Sequence, residues 1–180
     1  MIRRVVTVGG PPGSGKSTAG RRVSEILGLA YRSAGELFRA EASRRSMTLE
    51  AFGAYAETHP EVDRELDRAM QALAVPGNLV EGRVQGALCR RAGTPVHAVV
   101  ITASEETRVA RLHRRDGHPA EETRRRLRER EASERARYRR YYGIDLDGEP
   151  ADLTIDSTDR SPEAVAEAIV AFVRSREAAG

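Results

Sequence analysis

Short apolar runs alternate with long charged stretches from one end of the chain to the other. Runs near residues 3–9, 29–32, 77–81, 97–102 and 152–155 are too short for helices, rich in Val, Leu and Ile, and bounded by Gly, Pro or polar residues, so they predict buried strands. Between them, apolar positions recur at helical spacing and predict helices near 15–27, 35–45, 48–57, 60–73, 84–91, 105–115, 119–141 and 162–176. Strands alternating with helices indicate an α/β fold, a mostly parallel five-stranded sheet flanked by helices. No repeat or linker interrupts the 180 residues, which predict a single domain over 1–180. In such doubly wound sheets ligands bind at the carboxyl ends of the strands. That rule singles out Arg32-Ser33, Glu81-Gly82-Arg83, Thr102-Ala103 and Asp156-Ser157.

Composition narrows the class. Hydrophobic residues at 39% and charged residues at 32% fit a globular domain, and with only eight aromatics the core falls to Val, Leu, Ile and Ala. No apolar run approaches the roughly 18 residues of a membrane span. The opening segment is too short and ends in Gly-Gly-Pro-Pro, so it reads as a strand rather than a signal peptide. One cysteine, Cys89, excludes an internal disulfide and points to the cytoplasm. None of His59, His97, His113 and His118 has metal-ligand spacing.

Of the 30 basic residues, 29 are arginine and the one lysine is Lys16. It stands in Gly10-Pro11-Pro12-Gly13-Ser14-Gly15-Lys16-Ser17, followed by Thr18, which fits the phosphate-loop pattern of Gly, four residues, Gly, Lys and Ser or Thr. The predicted strand before it and helix after it supply the context that the motif requires. A chain that otherwise uses arginine keeps lysine where a compact ammonium must sit beside β- and γ-phosphates. Glycines let backbone N–H groups curl around those phosphates at a helix N-terminus, and Ser17 is the expected Mg²⁺ ligand. A regulatory GTPase would carry Asn-Lys-x-Asp, impossible here with Lys16 as the only lysine, and large ATPases are disfavoured by length. Small-molecule kinases remain.

Beyond the loop, several segments resemble the short cytidylate kinases known mainly from archaea. They are Ser33-Ala34-Gly35-Glu36-Leu37-Phe38-Arg39, Met47 to Phe52, His59 to Asp67, Glu81-Gly82-Arg83, Arg130 to Tyr138 and Tyr142-Gly143-Ile144-Asp145. The resemblance runs in order over almost the whole chain. It implies transfer of the ATP γ-phosphoryl group to CMP or dCMP with Mg²⁺, on a P-loop kinase fold with a monophosphate-binding arm (about 33–73) and a lid (about 111–137). The expected protein is a monomer acting on small nucleotides, with neither nucleic acid nor membrane as partner. Ala34 departs from the Ser-Thr-Gly-Glu expected there, which touches acceptor detail rather than the chemistry.

Charge distribution agrees with a lid. Thr107 to Tyr142 carries 13 arginines against six acids, +7 on a chain whose total is +3. Arg130, Ser133 and Arg137 share one helical face, and Arg130 and Arg137 are expected to clamp the transferring group together with Lys16 and Arg83. By resemblance Arg111 also contacts the nucleotide. A solvated helix laced with pairs such as Arg130–Glu134, or a nucleic-acid patch, would explain the same charge, and the Arg124-Arg125-Arg126 run is read as surface. Ser33, Arg39 and Arg83 are the expected monophosphate contacts, with Glu81 orienting Mg²⁺ through its waters. A structural acid or a surface ion pair is the competing reading for each. Cytosine presents an amino donor, for which Asp63 is the candidate reader, with Arg64 or Asp67 sharing the work; both aspartates could instead lie exposed on a helix. An anionic acceptor needs no general base, although Glu36 or Glu81 could serve a hydroxyl acceptor. Near the end of the chain, Ser161 before Pro162 is a helix-capping signal. The resemblance implies that the loop from Asp156 to Glu163 meets adenine through its backbone, leaving its side chains structural.

Overall fold

The computed structural model describes residues 2–148 and 150–179; Met1, Glu149 and Gly180, included in the 1–180 domain reading, lie outside them. Five strands, β1 (Val5–Gly9), β2 (Ala30–Ser33), β3 (Asn78–Glu81), β4 (Val96–Thr102) and β5 (Leu153–Asp156), form one sheet in the order β2-β3-β1-β4-β5. Every neighbouring pair is parallel. The helices are α1 (Lys16–Leu27), α2 (Ala34–Arg44), α3 (Leu49–Thr58), α4 (Pro60–Ala72), α5 (Gln85–Arg91), α6 (Glu105–Asp116), α7 (Ala120–Tyr142) and α8 (Pro162–Ala178). Each element expected from the hydrophobic pattern is present, with boundaries moved by about two residues at most.

Helices cover both faces, as an all-parallel sheet requires. On one face Val6, Val8, Leu79, Val99, Ile101 and Ile155 pack against Ala19 and Val23 of α1 and Val165, Ile169 and Val173 of α8. On the other, Val5, Val80, Val96 and Ala98 meet Met70 of α4 and Cys89 of α5. Central β1 is buried at every position, which is why it reads as a valine run broken only by Thr7 before Gly9. Helices α2, α3, α6 and α8 start where a short polar side chain satisfies a first-turn amide: Ser33, Thr48, Ser104 and Ser161 each accept a bond from a backbone N–H three residues on. Gly28, Gly117 and Gly143 end α1, α6 and α7 in the left-handed conformation.

Two excursions leave this core on the side of the strand carboxyl ends. Residues 34–72, inserted between β2 and β3, hold a small core of their own made by Ala42, Phe52, Ala56 and Val62. Residues 105–142, between β4 and β5, form a helix pair joined through Val109, Leu112 and Leu127. Helix α7 has few apolar positions, and ion pairs of the i,i+4 kind, Arg126 with Glu122, Arg125 with Glu129 and Arg130 with Glu134, run along it. It reaches the first excursion: the Tyr141 hydroxyl donates to the carbonyls of Ala56 and Glu57 at 3.2 and 2.8 Å, and Arg126 pairs with Glu50 at 2.9 Å. Among the described residues no helix is long and apolar enough to cross a membrane.

Where β1 gives way to the loop, Gly10 has φ +136° and a Cβ there would lie 2.0 Å from the Ile101 carbonyl oxygen of β4. Backbone cannot yield as a flexible side chain would. Gly10→Ala is therefore expected to cost at least about 3 kcal/mol of stability, measured by urea unfolding; a loss below about 1 kcal/mol would contradict this packing.

Candidate active site

The loop from Gly10 to Gly15 joins β1 to α1, and Gly13 and Gly15, like Gly10, are required by the backbone. Gly13 (φ +79°) lies so close to Arg108 that a Cβ would sit 2.9 Å from that residue's carbonyl oxygen, and Gly15 (φ +92°) is the N-cap of α1 without a side-chain cap. The first amides of α1 are thus left to an incoming anion. Lys16 folds over the loop, and its Nζ donates to the Pro11 carbonyl at 2.9 Å. Burial lowers its pKa to about 8, a fall opposed by Glu81 and Glu134 and reinforced by Arg130 and Arg83.

At the ends of β2 and β3 one carboxylate gathers three hydroxyls. Glu81 Oε2 accepts from Ser33 Oγ at 2.6 Å, Tyr31 Oη at 3.1 Å and Ser17 Oγ at 3.4 Å. Burial, with Glu81 adding to it, raises the Tyr31 phenol to about 12, so it remains a donor. Ser33 also caps α2 by accepting from the Glu36 amide. This cluster is entirely oxygen, the donor type of a hard divalent cation, and pairs a loop hydroxyl with an acid poised to hold the cation's waters; Ser17 and Glu81 fit Mg²⁺ on that chemistry.

Across from this cluster, α7 presents Glu134, buried at 7% exposure. Its carboxylate is 2.8 Å from Arg130 Nε and 3.4 Å from Arg83 Nε. Burial pulls the Glu134 pKa up, but Arg130 and Arg83 outweigh it and hold the carboxyl below its ordinary value. Arg130, in turn, is raised chiefly by Glu134. Lys16, Arg83 and Arg130 therefore share one electrostatic neighbourhood, with Glu134 as its anion.

Arg137 is placed differently from the sequence expectation. It is buried and directed at the arm, where its Nη1 lies 2.9 and 3.0 Å from the two carboxylate oxygens of Asp63. Arg130 and Arg137 share a helical face, but α7 leans on α3, so positions two turns apart meet different neighbours. Asp63 and Asp67 are buried rather than exposed. Burial pushes Asp63 up while Arg137 pulls it back. Asp67, with Oδ1 accepting from Gln85 Nε2 at 3.1 Å and the Tyr142 hydroxyl against its carboxylate, is raised by burial to about 6. Arg39 is exposed and its guanidinium folds back over Gly35, toward Ser33.

Other residues fall outside this group. Arg124 pairs with Glu105, Arg125 with Glu129 and Arg126 with Glu122, a surface network. His59 stacks on Tyr55 and precedes Pro60 at the start of α4. Sequence reasoning did not single out Arg108, which is buried against the loop and pairs with Glu131, and treated Glu134 only as the partner of a solvated pair. Its i,i+4 spacing to Arg130 was the one available signal, and spacing does not show that Arg83 closes over the other side.

A family model described as an AAA domain matches residues 6–141. A curated relative from Archaeoglobus fulgidus named cytidylate kinase is 38% identical over 175 residues, 96% of each chain. Another of the same name from Pyrococcus furiosus is 41% identical over 163 residues, 89% of this chain and 83% of the relative. Among solved structures, the fold is shared with a shikimate kinase from Acinetobacter baumannii (TM-score 0.62, 20% identity, covering 96% of this chain and 94% of that one). A gluconokinase from Sinorhizobium meliloti shares it too (TM-score 0.57, 17% identity, 97% and 93%).

Two pH dependences follow from the buried charges. Lys16 is lowered from 10.5 to about 8, so the charged form is disfavoured in the folded state, and stability rises with pH between about 8 and 10.5. Phosphate binding runs the other way: affinity for Mg-ATP should fall by roughly tenfold per unit above about pH 8, read by calorimetry, and constant affinity to pH 10 would exclude this lysine environment. Asp67 is raised from 3.8 to about 6, so its contribution is favourable at low pH and is lost as pH rises through 6. Asp67→Asn should therefore stabilise the fold by roughly 1–3 kcal/mol at pH 7.5 and by little at pH 4, measured by thermal unfolding.

Proposed function

The chain belongs to the cytidylate kinase family, and on that premise we propose that it transfers the γ-phosphoryl group of ATP to CMP or dCMP, yielding ADP and CDP or dCDP. The observation that carries this reading is the set of cations, Lys16, Arg83 and Arg130, drawn around Glu134 between the phosphate loop and the arm. Phosphoryl transfer asks a protein mainly to position reactants and offset spreading negative charge. These three side chains come from α1, the end of β3 and α7, so they converge only when the long helix lies over the site.

In this mechanism the loop amides and Lys16 hold the β- and γ-phosphates of ATP. Ser17, and Glu81 through water, would hold Mg²⁺, which would supply neutralisation of the phosphate charge. A phosphate oxygen of the acceptor attacks the γ-phosphorus in line as the bond to the β–γ bridging oxygen breaks. The acceptor arrives anionic, so no side chain has to remove a proton. Arg83 and Arg130 leave Glu134 to meet the transferring group, and Ser33 and Arg39 flank the acceptor phosphate. Arg137 keeps the Asp63 carboxylate facing the acceptor, and Asp63 with Asp67 accepts from the cytosine amino group. Arg137 thus acts on the base end of the acceptor in place of the phosphoryl clamp expected for it.

Competing chemistries find less support. A hydroxyl-acceptor kinase would use Glu36 or Glu81 as base, but Glu36 pairs with Arg21 and Glu81 already accepts three hydroxyls. A nucleic-acid surface would draw on the arginines of α7, which are largely committed to Glu105, Glu122, Glu129 and Asp147. A monomer in the cytoplasm, its one thiol Cys89 buried and unpaired, completes the reading.

A Mg-ATP panel against CMP, dCMP, UMP, AMP and GMP, with a no-acceptor control, tests it. Turnover confined to CMP and dCMP is expected, and phosphorylation of none of the monophosphates would overturn it. Lys16→Ala should lower kcat by at least about a thousandfold with the fold retained. Arg83→Ala should raise the acceptor KM and lower kcat, and unchanged kinetics would remove it from the site.

A further inference from the structure

The loop that follows β5 touches the phosphate loop through a side chain. Ser157 is held at the sheet's carboxyl edge by its own backbone, its N–H donating to the Thr102 carbonyl at 2.8 Å, and it is buried at 3% exposure. From that fixed point its hydroxyl donates to the Ser14 carbonyl at 2.9 Å and accepts from Arg111 Nη1 at 2.9 Å. Arg111 grips the same residue a second time, Nη2 donating to the Ser157 carbonyl at 2.7 Å, and reaches the Gly13 carbonyl at 3.4 Å. Nearby, Arg108 Nη1 donates to the Pro12 carbonyl at 3.4 Å. Three successive carbonyls of the loop, from Pro12, Gly13 and Ser14, are therefore held from outside by donors of α6 and the β5 loop.

A planar trans peptide carries its C=O and N–H on opposite sides. Fixing a carbonyl outward consequently fixes the next N–H inward. We propose that Ser157 is a positioning residue for the nucleotide phosphates: its hydroxyl holds the Ser14 carbonyl outward so that the Gly15 N–H faces the anion cradle. A glycine at Gly15, free of Cβ restraint, has no side chain of its own to impose that orientation, and its φ of +92° must be set by neighbours. The hydroxyl also links the Ser14 carbonyl to Arg111, which reaches the Gly13 carbonyl directly, so the orientation of the cradle is tied to α6. This inference rests on the loop's binding ATP.

Four proteins decide it: wild type, Ser157→Ala, and the similarly shaped pair Ser157→Thr and Ser157→Val, which differ in the hydroxyl. Calorimetric Kd for Mg-ADP and KM for ATP and CMP are measured on each, with melting temperature as a control. Ala and Val are expected to weaken Mg-ADP and raise the ATP KM roughly five- to tenfold, with the CMP KM unchanged within about twofold and Thr close to wild type. Mg-ADP affinity in Ala and Val equal to wild type, or Thr as weak as Val, would overturn the proposal, as would equal rises in both KM values. If Ala fails to fold, the Thr and Val pair carries the comparison. Failure of wild type itself to bind Mg-ADP would instead overturn the phosphate-loop reading, and this inference with it.

Discussion

Three cations close together in a partly buried site repel one another, and the rest of the structure depends on how that repulsion is offset. Lys16, Arg83 and Arg130 occupy one electrostatic neighbourhood, and two acids stand among them: Glu134 bridges the arginines, and Glu81 is the largest opposing charge on Lys16. Without those carboxylates, desolvation and like charge would both act against the folded chain. With them, the site is assembled before phosphate arrives. An incoming triphosphate and monophosphate exchange for carboxylate contacts already formed, so the cations need little further ordering at the moment of reaction, which is where preorganised charge lowers a barrier.

The parallel sheet makes this assembly possible by placing unlike chemistry at a common edge. β1 ends in the phosphate loop, β2 in Ser33, β3 in Glu81 followed by Arg83, and β5 in the loop bearing Ser157. Register fixes these ends relative to one another: Val8 lies beside Glu81, and Ser33 is also paired with Glu81. Four separated parts of the sequence are thereby brought together by strand pairing alone. The two helical excursions add what the sheet edge lacks, Asp63 and Asp67 from one and Arg130, Glu134 and Arg137 from the other.

Much of this was legible from residues alone because it is local. Strand and helix periods mark each element, Gly10 to Ser17 declares the loop, and a lone lysine among arginines identifies Lys16 before any coordinates. Side-chain partnerships across the fold were less legible. Nothing in the spacing of α7 shows that Arg137 meets an aspartate 74 positions earlier, or that Glu134 closes on Arg83 as well as on Arg130. Helical periodicity reports which residues share a face; which neighbour that face meets depends on how α7 lies across α3. Arg108 and Ser157 were missed as contacts to the loop for the same reason, since their bonds to it span 96 and 143 positions.

The Asp63–Arg137 pair joins these two excursions. It is buried, and removing one partner would leave an uncompensated charge, the costly case for an ion pair. Its free hydrogen-bonding capacity matters as much as its charge. Arg137 engages Asp63 through Nη1 and its Nε has no partner, while the Tyr142 hydroxyl lies against the Asp67 carboxylate. Buried polar groups left without partners are destabilising, and a ligand that satisfied them would be bound where nonpolar contact alone would give little selectivity. A pyrimidine carrying an amino donor beside ring and carbonyl acceptors has the complementary set. Under the proposed function, base recognition and the contact between the two excursions would draw on the same side chains, Asp63 and Arg137.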